Sequence, residues 1–134
     1  AERWAERIRN PKSVIDKLGV KDGDKVTVIN VADEAFLSSL EARTSDVRVG
    51  RVRQGCDLIF FGADSARALG RLEALKRYIK PHGAIWIVRP KGSKSITEGD
   101  VLSQIKRHGL VDVKVVGFSV SHSAMKAVIP VAHR

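Results

Sequence analysis

Three cations and two hydroxyl groups lie close together in residues 89–95 (RPKGSKS). Proteins use such side chains to bind phosphates and carboxylates. The segment follows an apolar run typical of a buried strand and precedes a run typical of an amphipathic helix. It lacks the GxxxxGK[ST] spacing of a P-loop. The sequence therefore predicts an anion site formed by Arg89, Lys91, Lys94 and Ser95, with a solvated surface loop as the alternative.

Polar side chains also follow two of the predicted strands. Asn30 and Asp33 come after the first strand, and Asp64 comes after a second. The carboxyl ends of parallel strands meet at one edge of a sheet, where ligands bind. We therefore include Asn30 and Asp64 in the predicted ligand-binding site. The alternative is that these residues only cap the helices that follow.

Neither a catalytic residue nor a metal site is predicted. Ser121 and His122 are adjacent, but the chain has no G-x-S-x-G elbow and no evident acidic partner for them. Hairpin loops favour such small polar residues. The other histidines and the single cysteine match no metal-ligand spacing; they are His82, His108, His133 and Cys56.

Alternating apolar and amphipathic runs define the elements that must position these residues. The predicted strands are Lys25–Val31, Cys56–Phe61, Ala84–Val88, Val113–Phe118 and Ala127–Val131. A loop containing Ser119–Lys126 joins the last two strands. The predicted helices are one capped by Asp33, one over Ala66–Lys80, and one that starts with a Ser95/Glu98 capping box and reaches His108. The core face predicted for the second helix is Leu69, Leu72, Leu75 and Ile79. Residues 1–19 form an N-terminal helical segment, with helices over Glu2–Arg9 and from Asn10-Pro11.

The sequence leaves three interpretations open for the segment Val47–Val52. Val47–Val52 has strand character, but only about three residues separate it from Cys56–Phe61, and a parallel crossover needs a dozen or more. It is an edge strand, an antiparallel excursion or an extended link. The order of elements predicts a single α/β domain over residues 1–134. This domain is a Rossmann-like three-layer sandwich with a mostly parallel sheet and a C-terminal antiparallel hairpin.

The second half resembles the core of the class I S-adenosylmethionine-dependent methyltransferases. The resemblance rests on CDLIFFG, a leucine-rich helix, IKPHGAIWIV and the closing GLVDVKVVGFSV…AMKAVIPVA. It implies cofactor binding through a glycine-rich turn after the first strand and an acid after the second strand. Here the first turn is Asn30-Val31-Ala32-Asp33-Glu34, without glycine, and Arg53-Gln54 follows the second. We therefore predict no cofactor.

A second resemblance covers nearly the whole chain from Leu18 onward. The segments Leu18–Val26 with Asn30, Gly83–Lys91, Gly109–Val115 and Met125–Val128 are similar to a small bacterial family of unknown function, domain of unknown function three thousand and fifty-two. Ser121–Ala124 departs from that family, where a tryptophan-serine-glycine is expected. The resemblance implies a Rossmann-like fold and no established activity.

The charge distribution indicates what kind of partner this protein would bind. The net charge is +9, and residues 47–134 hold 16 basic against six acidic residues. This excess favours an anionic small molecule or nucleic acid as partner, or serves only solubility. Stacking platforms are not evident among so few aromatic residues. The N-terminal AERWAERIRNPK has no apolar signal-peptide core, no apolar run could cross a membrane, and one cysteine fits a reducing compartment. We expect a cytoplasmic protein without membrane contact.

These observations lead to one preferred function and two alternatives. The preferred interpretation is a non-catalytic binding module for an anionic ligand at the carboxyl edge of the sheet. The first alternative is a divergent methyltransferase that uses Asn30, Asp33 and Asp64 around a reshaped pocket. The second is a basic accessory protein that binds nucleic acid or an acidic partner. The sequence does not indicate an oligomeric state.

Overall fold

A six-stranded sheet organises residues 14–131, which the structure, a computed structural model, describes. The strands are β1 (Val26–Ile29), β2 (Val47–Val49), β3 (Cys56–Gly62), β4 (Ile79–Pro90), β5 (Val111–Gly117) and β6 (His122–Val128). The α-helices are α1 (Val14–Lys17), α2 (Glu34–Arg43), α3 (Leu72–Leu75) and α4 (Glu98–Arg107), and a 3-10 helix spans Ala66–Arg71.

The strand order is β2-β1-β3-β4-β6-β5. Strands β2, β1, β3 and β4 are parallel, whereas β6 runs antiparallel to both β4 and β5. Sheets of this kind are covered on both faces, so their central strands are apolar throughout. Every residue of β1 is buried, as are six of the seven in β3. The predicted α/β fold class, with its antiparallel C-terminal hairpin, is confirmed.

Two apolar clusters fill the space between the sheet and its helices. Successive side chains of a strand point to opposite faces. Ile59 and Phe61 of β3 therefore pack with the 3-10 helix, α3 and α4, whereas Leu58 and Phe60 pack with α1 and α2. This arrangement gives three layers. Trp86 of β4 is fully buried in the second cluster, and its indole N–H donates to the Leu18 carbonyl at 3.1 Å.

The predicted helix over Ala66–Lys80 is wrong in its extent. The chain forms the 3-10 helix, then the single turn α3, and enters β4 at Ile79. Gly70 has low helix propensity. The Tyr78 carbonyl accepts a bond from the Cys56 amide at 2.9 Å, which draws the chain into the sheet. The predicted core face is nevertheless correct, because Leu69, Leu72, Leu75 and Ile79 are all buried.

The segment Val47–Val52 contains an edge strand. The short connection to Cys56–Phe61 does not indicate which strand it pairs with. Its residues Val47–Val49 form β2, which pairs in parallel with β1 and not with β3. Helix α2 is the crossover between β1 and β2. Residues 50–55 then run back along the three-residue strand β2 to the start of β3. Gly50 and Gly55 take positive φ values (82° and 74°) in this short connection.

The C-terminal hairpin is displaced from its predicted position. The loop predicted over Ser119–Lys126 is wrong, because β6 already begins at His122. A tight turn explains the shift: the Phe118 amide donates to the His122 carbonyl at 3.1 Å, and the His122 amide donates to Ser119 Oγ at 3.1 Å. The small side chains that predicted a loop fit this strand because it is packed between β4 and β5.

The structure also corrects the predicted helix ends. The predicted Ser95/Glu98 capping box is wrong: Thr97 caps α4 and exchanges hydrogen bonds with Asp100. Helix α1 ends at Lys17, and Gly19 then takes a positive φ of 75°. The helices predicted over Glu2–Arg9 and from Asn10-Pro11 begin outside the described residues. Within residues 14–131, no helix is long and apolar enough to span a bilayer.

Asp57 joins three segments at the amino end of the sheet. Its carboxylate accepts from the Lys25 amide at 2.8 Å and lies 3.0 Å from Lys80 Nζ. Burial alone would raise the pKa of this carboxyl. The Lys25 hydrogen bond, Lys80 and His82 outweigh burial and lower the pKa below its usual value. Because the folded-state pKa is the lower one, the ionised carboxylate stabilises the fold above the ordinary aspartate pKa, about 3.9.

We expect this contribution to be lost as the pH falls through the lowered pKa. Asp57→Asn should reduce the free energy of unfolding at pH 7 by about 1–2 kcal/mol. The difference between variant and wild type should shrink below about pH 4. Urea unfolding at a series of pH values measures both effects. Asp22→Asn, at an exposed turn position, is the control and should follow the wild type. A pH-independent difference for Asp57→Asn would contradict the electrostatic explanation.

Candidate ligand-binding site at the carboxyl edge of the sheet

A crevice of about 470 Å³ lies beyond the carboxyl ends of β1 and β3. At this point the order of the sheet reverses, because β2 lies on one side of β1 and β3 lies on the other. Open α/β sheets bind ligands at such reversals, and the volume is within the range of small-molecule sites. The lining residues are Asn30, Val31, Ala32, Asp33, Glu34, Gly62, Asp64, Val88, Phe118, Ser119, Ser121 and His122.

Asn30 and Gly62 form the floor of this crevice. Asn30 has a φ of 57°, in the left-handed region that asparagine tolerates better than most side chains. Its side-chain amide donates to the Gly62 carbonyl at 2.9 Å. The Asn30 backbone and Gly62 approach so closely that a Cβ on residue 62 would lie 2.0 Å from the Asn30 carbonyl oxygen. Asn30 thus supplies the backbone conformation that a glycine provides in the expected turn.

Three carboxylates set the charge of the crevice. Asp33 caps α2, and one of its oxygens accepts from the Phe36 amide at 3.0 Å. Glu34 stands in the first turn of α2, and Asp64 is exposed just after β3. No lysine or arginine of residues 14–131 lines the crevice. Its charge therefore favours a cationic or hydroxyl-bearing ligand, whereas the sequence predicted an anion at this edge.

The basic segment lies outside this crevice. Arg89 is largely covered, and its guanidinium lies 3.7 Å from the Glu98 carboxylate. Lys91 and Lys94 are exposed, and the Lys91 amide donates to the Ser121 carbonyl at 2.8 Å. The Ser95 carbonyl accepts from the Ala66 amide at 2.9 Å. Of the six residues predicted to bind a ligand, the structure therefore brings Asn30 and Asp64 into the crevice and leaves Arg89, Lys91, Lys94 and Ser95 elsewhere.

The start of α4 offers little to an anion beside this segment. Thr97 Oγ1 already accepts from the Asp100 amide, and the Asp100 carboxylate accepts from the Thr97 amide. Glu98 and Asp100 also place two negative charges in the first turn, which oppose an anion at that helix end. Binding of an anion by Lys91 and Lys94 stays a prediction.

The hairpin turn contributes a wall that the sequence did not predict as part of the site. Ser121 Oγ lies 2.7 Å from His122 Nδ1, and Ser119 Oγ lies 3.4 Å from Ser121 Oγ. Phe118 is buried beneath them. These residues were missed because β6 was predicted to start five residues too late. Within residues 14–131 no cluster of three or more His, Cys, Asp or Glu could hold a metal ion.

Comparison with solved structures identifies the fold. A SAM-dependent methyltransferase from Aquifex aeolicus superposes with a TM-score of 0.70 at 17% identity, over 90% of each chain. A precorrin-6y C5,15-methyltransferase from Geobacter metallireducens gives 0.59 at 14% identity, over 87% of this chain and 86% of that one. A TehB-like SAM-dependent methyltransferase from Corynebacterium glutamicum gives 0.55 at 16% identity, over 96% and 97%. The chain has the Rossmann-like fold of the S-adenosylmethionine-dependent methyltransferases.

Sequence comparisons add no assignment beyond the fold. No protein-family model matches the chain, and no curated protein matches it. The resemblance to the small bacterial family of unknown function is therefore not confirmed.

The close approach of Gly62 to Asn30 can be tested by adding one methyl group. We expect Gly62→Ala to lower the free energy of unfolding by about 3 kcal/mol, because the new Cβ must displace the Asn30 carbonyl. Denaturant unfolding measures this loss. Gly70→Ala is the matched control: no atom lies within 4 Å of its Cβ position, so its stability should be unchanged or slightly higher. Equal stability of the two variants would show that the strand ends are not tightly packed.

Proposed function

We propose that this protein is a divergent S-adenosylmethionine-dependent methyltransferase whose cofactor site is the crevice between β1 and β3. The observation that carries the proposal is the set of three carboxylates, Asp33, Glu34 and Asp64, at the reversal point of a methyltransferase fold. S-adenosylmethionine presents a sulfonium cation, an ammonium group and two ribose hydroxyls. Carboxylates attract the first two and accept hydrogen bonds from the third.

The negative charge of the crevice suits the sulfonium and ammonium groups of the cofactor, whereas no lysine or arginine of residues 14–131 lines it to pair with the cofactor's carboxylate. The site also departs from the family pattern in one respect. A methyltransferase is expected to hold the ribose with an acid after its second strand. Here β2 is followed by Gly50 and Arg51, and Arg53 reaches back to the Asp46 carboxylate at 2.6 Å. The ribose hydrogen bonds would therefore come from Asp33 or Asp64, which follow the two strands that flank the crevice.

When bound, the cofactor would supply a methyl group: the acceptor nucleophile would bond to the methyl carbon as the carbon–sulfur bond breaks and S-adenosylhomocysteine leaves. The chain has to hold the two reactants in line and exclude water. Val88 and Phe118 give the crevice an apolar wall, while Asp33 and Asp64 hold cationic and hydroxyl groups. His122 lines the crevice, and its imidazole would take the proton that an acceptor hydroxyl or amine releases.

The non-catalytic module for an anionic ligand is the second candidate. It is supported by Lys91 and Lys94, which are exposed beside the carboxyl edge. The two candidates place opposite charges at their sites. Variants that remove one set of charges therefore separate them.

Calorimetric titration tests the cofactor site. We expect S-adenosylmethionine to bind the wild type in the micromolar range. Asp33→Asn with Asp64→Asn should weaken binding by about tenfold or more, because each charge-assisted hydrogen bond is worth about 1.5–3 kcal/mol. Asparagine at position 33 still caps α2. The control, Lys91→Ala with Lys94→Ala, should bind as the wild type does. Binding of inorganic phosphate that the lysine variant abolishes, without S-adenosylmethionine binding, would favour the second candidate.

Methyl transfer provides a separate test. With a panel of phenols and amines as acceptors, we expect the wild type to form S-adenosylhomocysteine. His122→Asn should lower kcat by about 100-fold, since a positioned base contributes that much or more. Its affinity for S-adenosylmethionine should not change. Ser39→Ala, at an exposed position on α2, serves as the control and should retain the wild-type kcat. Cofactor binding without transfer to any acceptor would contradict the enzymatic proposal.

A further inference from the structure

A row of side chains crosses the sheet on the face covered by α1 and α2. Val28 pairs with Phe60, Phe60 with Trp86, Trp86 with Lys126, and Lys126 with Lys114. Residues directly opposite one another on neighbouring strands share a face and lie about 5 Å apart. The row is therefore buried and apolar over the central strands and cationic over β6 and β5.

Positive charges lie close together at the cationic end of this row, where Lys126 pairs with Lys114. Like charges directly opposite each other on adjacent strands are destabilising. Lys126 is half-buried, and its Nζ lies 6.0 Å from the centroid of the Trp86 ring. Burial lowers the pKa of Lys126, and the nearby charges of Lys114 and Lys21 lower it further. Lys126 and Lys114 thus lie opposite each other on one face of the sheet. The Trp86 indole bonds to the Leu18 carbonyl, three residues before Lys21, which brings the turn that carries Lys21 to the same face.

Carboxylates lie near two of these lysines in the chain: Asp22 and Asp24 follow Lys21, and Asp112 lies two residues before Lys114. Among residues 14–131 no ion pair joins any of the three lysines to a carboxylate. Asp24 shares a turn with Lys21, but its carboxylate accepts from the Lys21 backbone amide at 2.9 Å. The cluster is therefore open to an external anion, which would relieve the repulsion.

We propose that Lys21, Lys114 and Lys126 form a binding surface for the phosphate backbone of a nucleic acid. Lys21 and Lys114 are exposed, and the three residues lie outside the crevice at the carboxyl edge. Two cations on the adjacent strands β6 and β5, with Lys21 in a turn, form an open surface. Such a surface matches an extended polyanion better than a small molecule, which needs a concave site. The basic excess of residues 47–134 attracts the same partner at longer range.

The nearby aromatic side chain sets the expected specificity. Trp86 is fully buried, so its ring is not available for stacking on a base. Contacts limited to phosphates position a nucleic acid without reading its sequence. This surface therefore binds independently of sequence and depends strongly on salt. It does not rest on the proposed methyl transfer, because it uses no residue of the crevice.

Fluorescence anisotropy with the full chain and a labelled DNA duplex of about 20 base pairs tests the surface between about 50 and 200 mM salt. The test variant carries Lys21→Gln, Lys114→Gln and Lys126→Gln. We expect the slope of log K against log salt to become shallower by roughly 0.9 for each phosphate that the variant no longer neutralises. At the lower salt concentration the dissociation constant should rise by about tenfold or more.

The matched control removes the same number of charges elsewhere. Arg67→Gln, Lys106→Gln and Arg107→Gln change three exposed cations on the 3-10 helix and on α4, which pack against the other face of the sheet. This control should keep the wild-type slope. Equal weakening in both triple variants would overturn the proposal, because net charge alone would then explain binding. Absence of measurable duplex binding would overturn it as well.

Two further measurements complete the design. The test variant should unfold at the wild-type temperature or above it, because the substitutions remove repulsion between Lys114 and Lys126. A folded variant shows that the weaker binding is a local effect. Inorganic phosphate at the same total phosphate concentration should not displace the duplex. Displacement by free phosphate would overturn the assignment to nucleic acid in favour of a small phosphate ligand.

Discussion

The close approach of Gly62 to the Asn30 backbone is the constraint on which the carboxyl edge of the sheet depends. A side chain on residue 62 would overlap the Asn30 carbonyl. Because residue 62 has no side chain, the ends of β1 and β3 can lie side by side. The side-chain amide of Asn30 donates to the Gly62 carbonyl and holds these two strand ends together. After β1 the chain continues into α2 on one face of the sheet, and after β3 it continues into the 3-10 helix on the other face. The crevice lies between them.

The charge of this crevice is opposite to that of the molecule. The chain carries a net charge of +9, yet three carboxylates line the crevice and no lysine or arginine of residues 14–131 joins them. The parallel topology explains the separation. Acids that cap or begin α2 and follow β3 converge at the carboxyl edge, because helices favour negative groups at their starts. The lysines of residues 14–131 lie on other helices, strands and loops, and none of them lines the crevice. Net charge therefore describes long-range attraction and gives no guide to the sign of a particular site.

Much of the fold could be predicted from the sequence, because burial on both faces leaves continuous apolar runs such as those of β3 and β4. Positions in the core were also recoverable, as the buried Leu69, Leu72 and Leu75 show. The features that could not be predicted depend on contacts between segments that are distant in the sequence. The Tyr78 carbonyl bonds to Cys56 in the sheet, which shortens the predicted helix, and β2 pairs with β1. The tight turn before His122 moved a strand into a segment whose small polar residues indicated a loop. Because of that last displacement the sequence did not indicate one wall of the crevice, although Asn30 and Asp64, which it placed at this edge of the sheet, do line it.

The turn after β1 shows why composition and conformation must be separated at such a site. Methyltransferases are expected to carry glycines there, and their absence argued against a cofactor. Asn30 nevertheless adopts the positive φ that a glycine would provide, so the path of the chain is retained without the residue. What changes is the chemistry, because the Asn30 amide donates to Gly62 and that hydrogen bond is not available to a ligand. The carboxylates that line this crevice are Asp33, Glu34 and Asp64. A ligand selected by three carboxylates has to present cations or hydroxyl groups on the side that faces them.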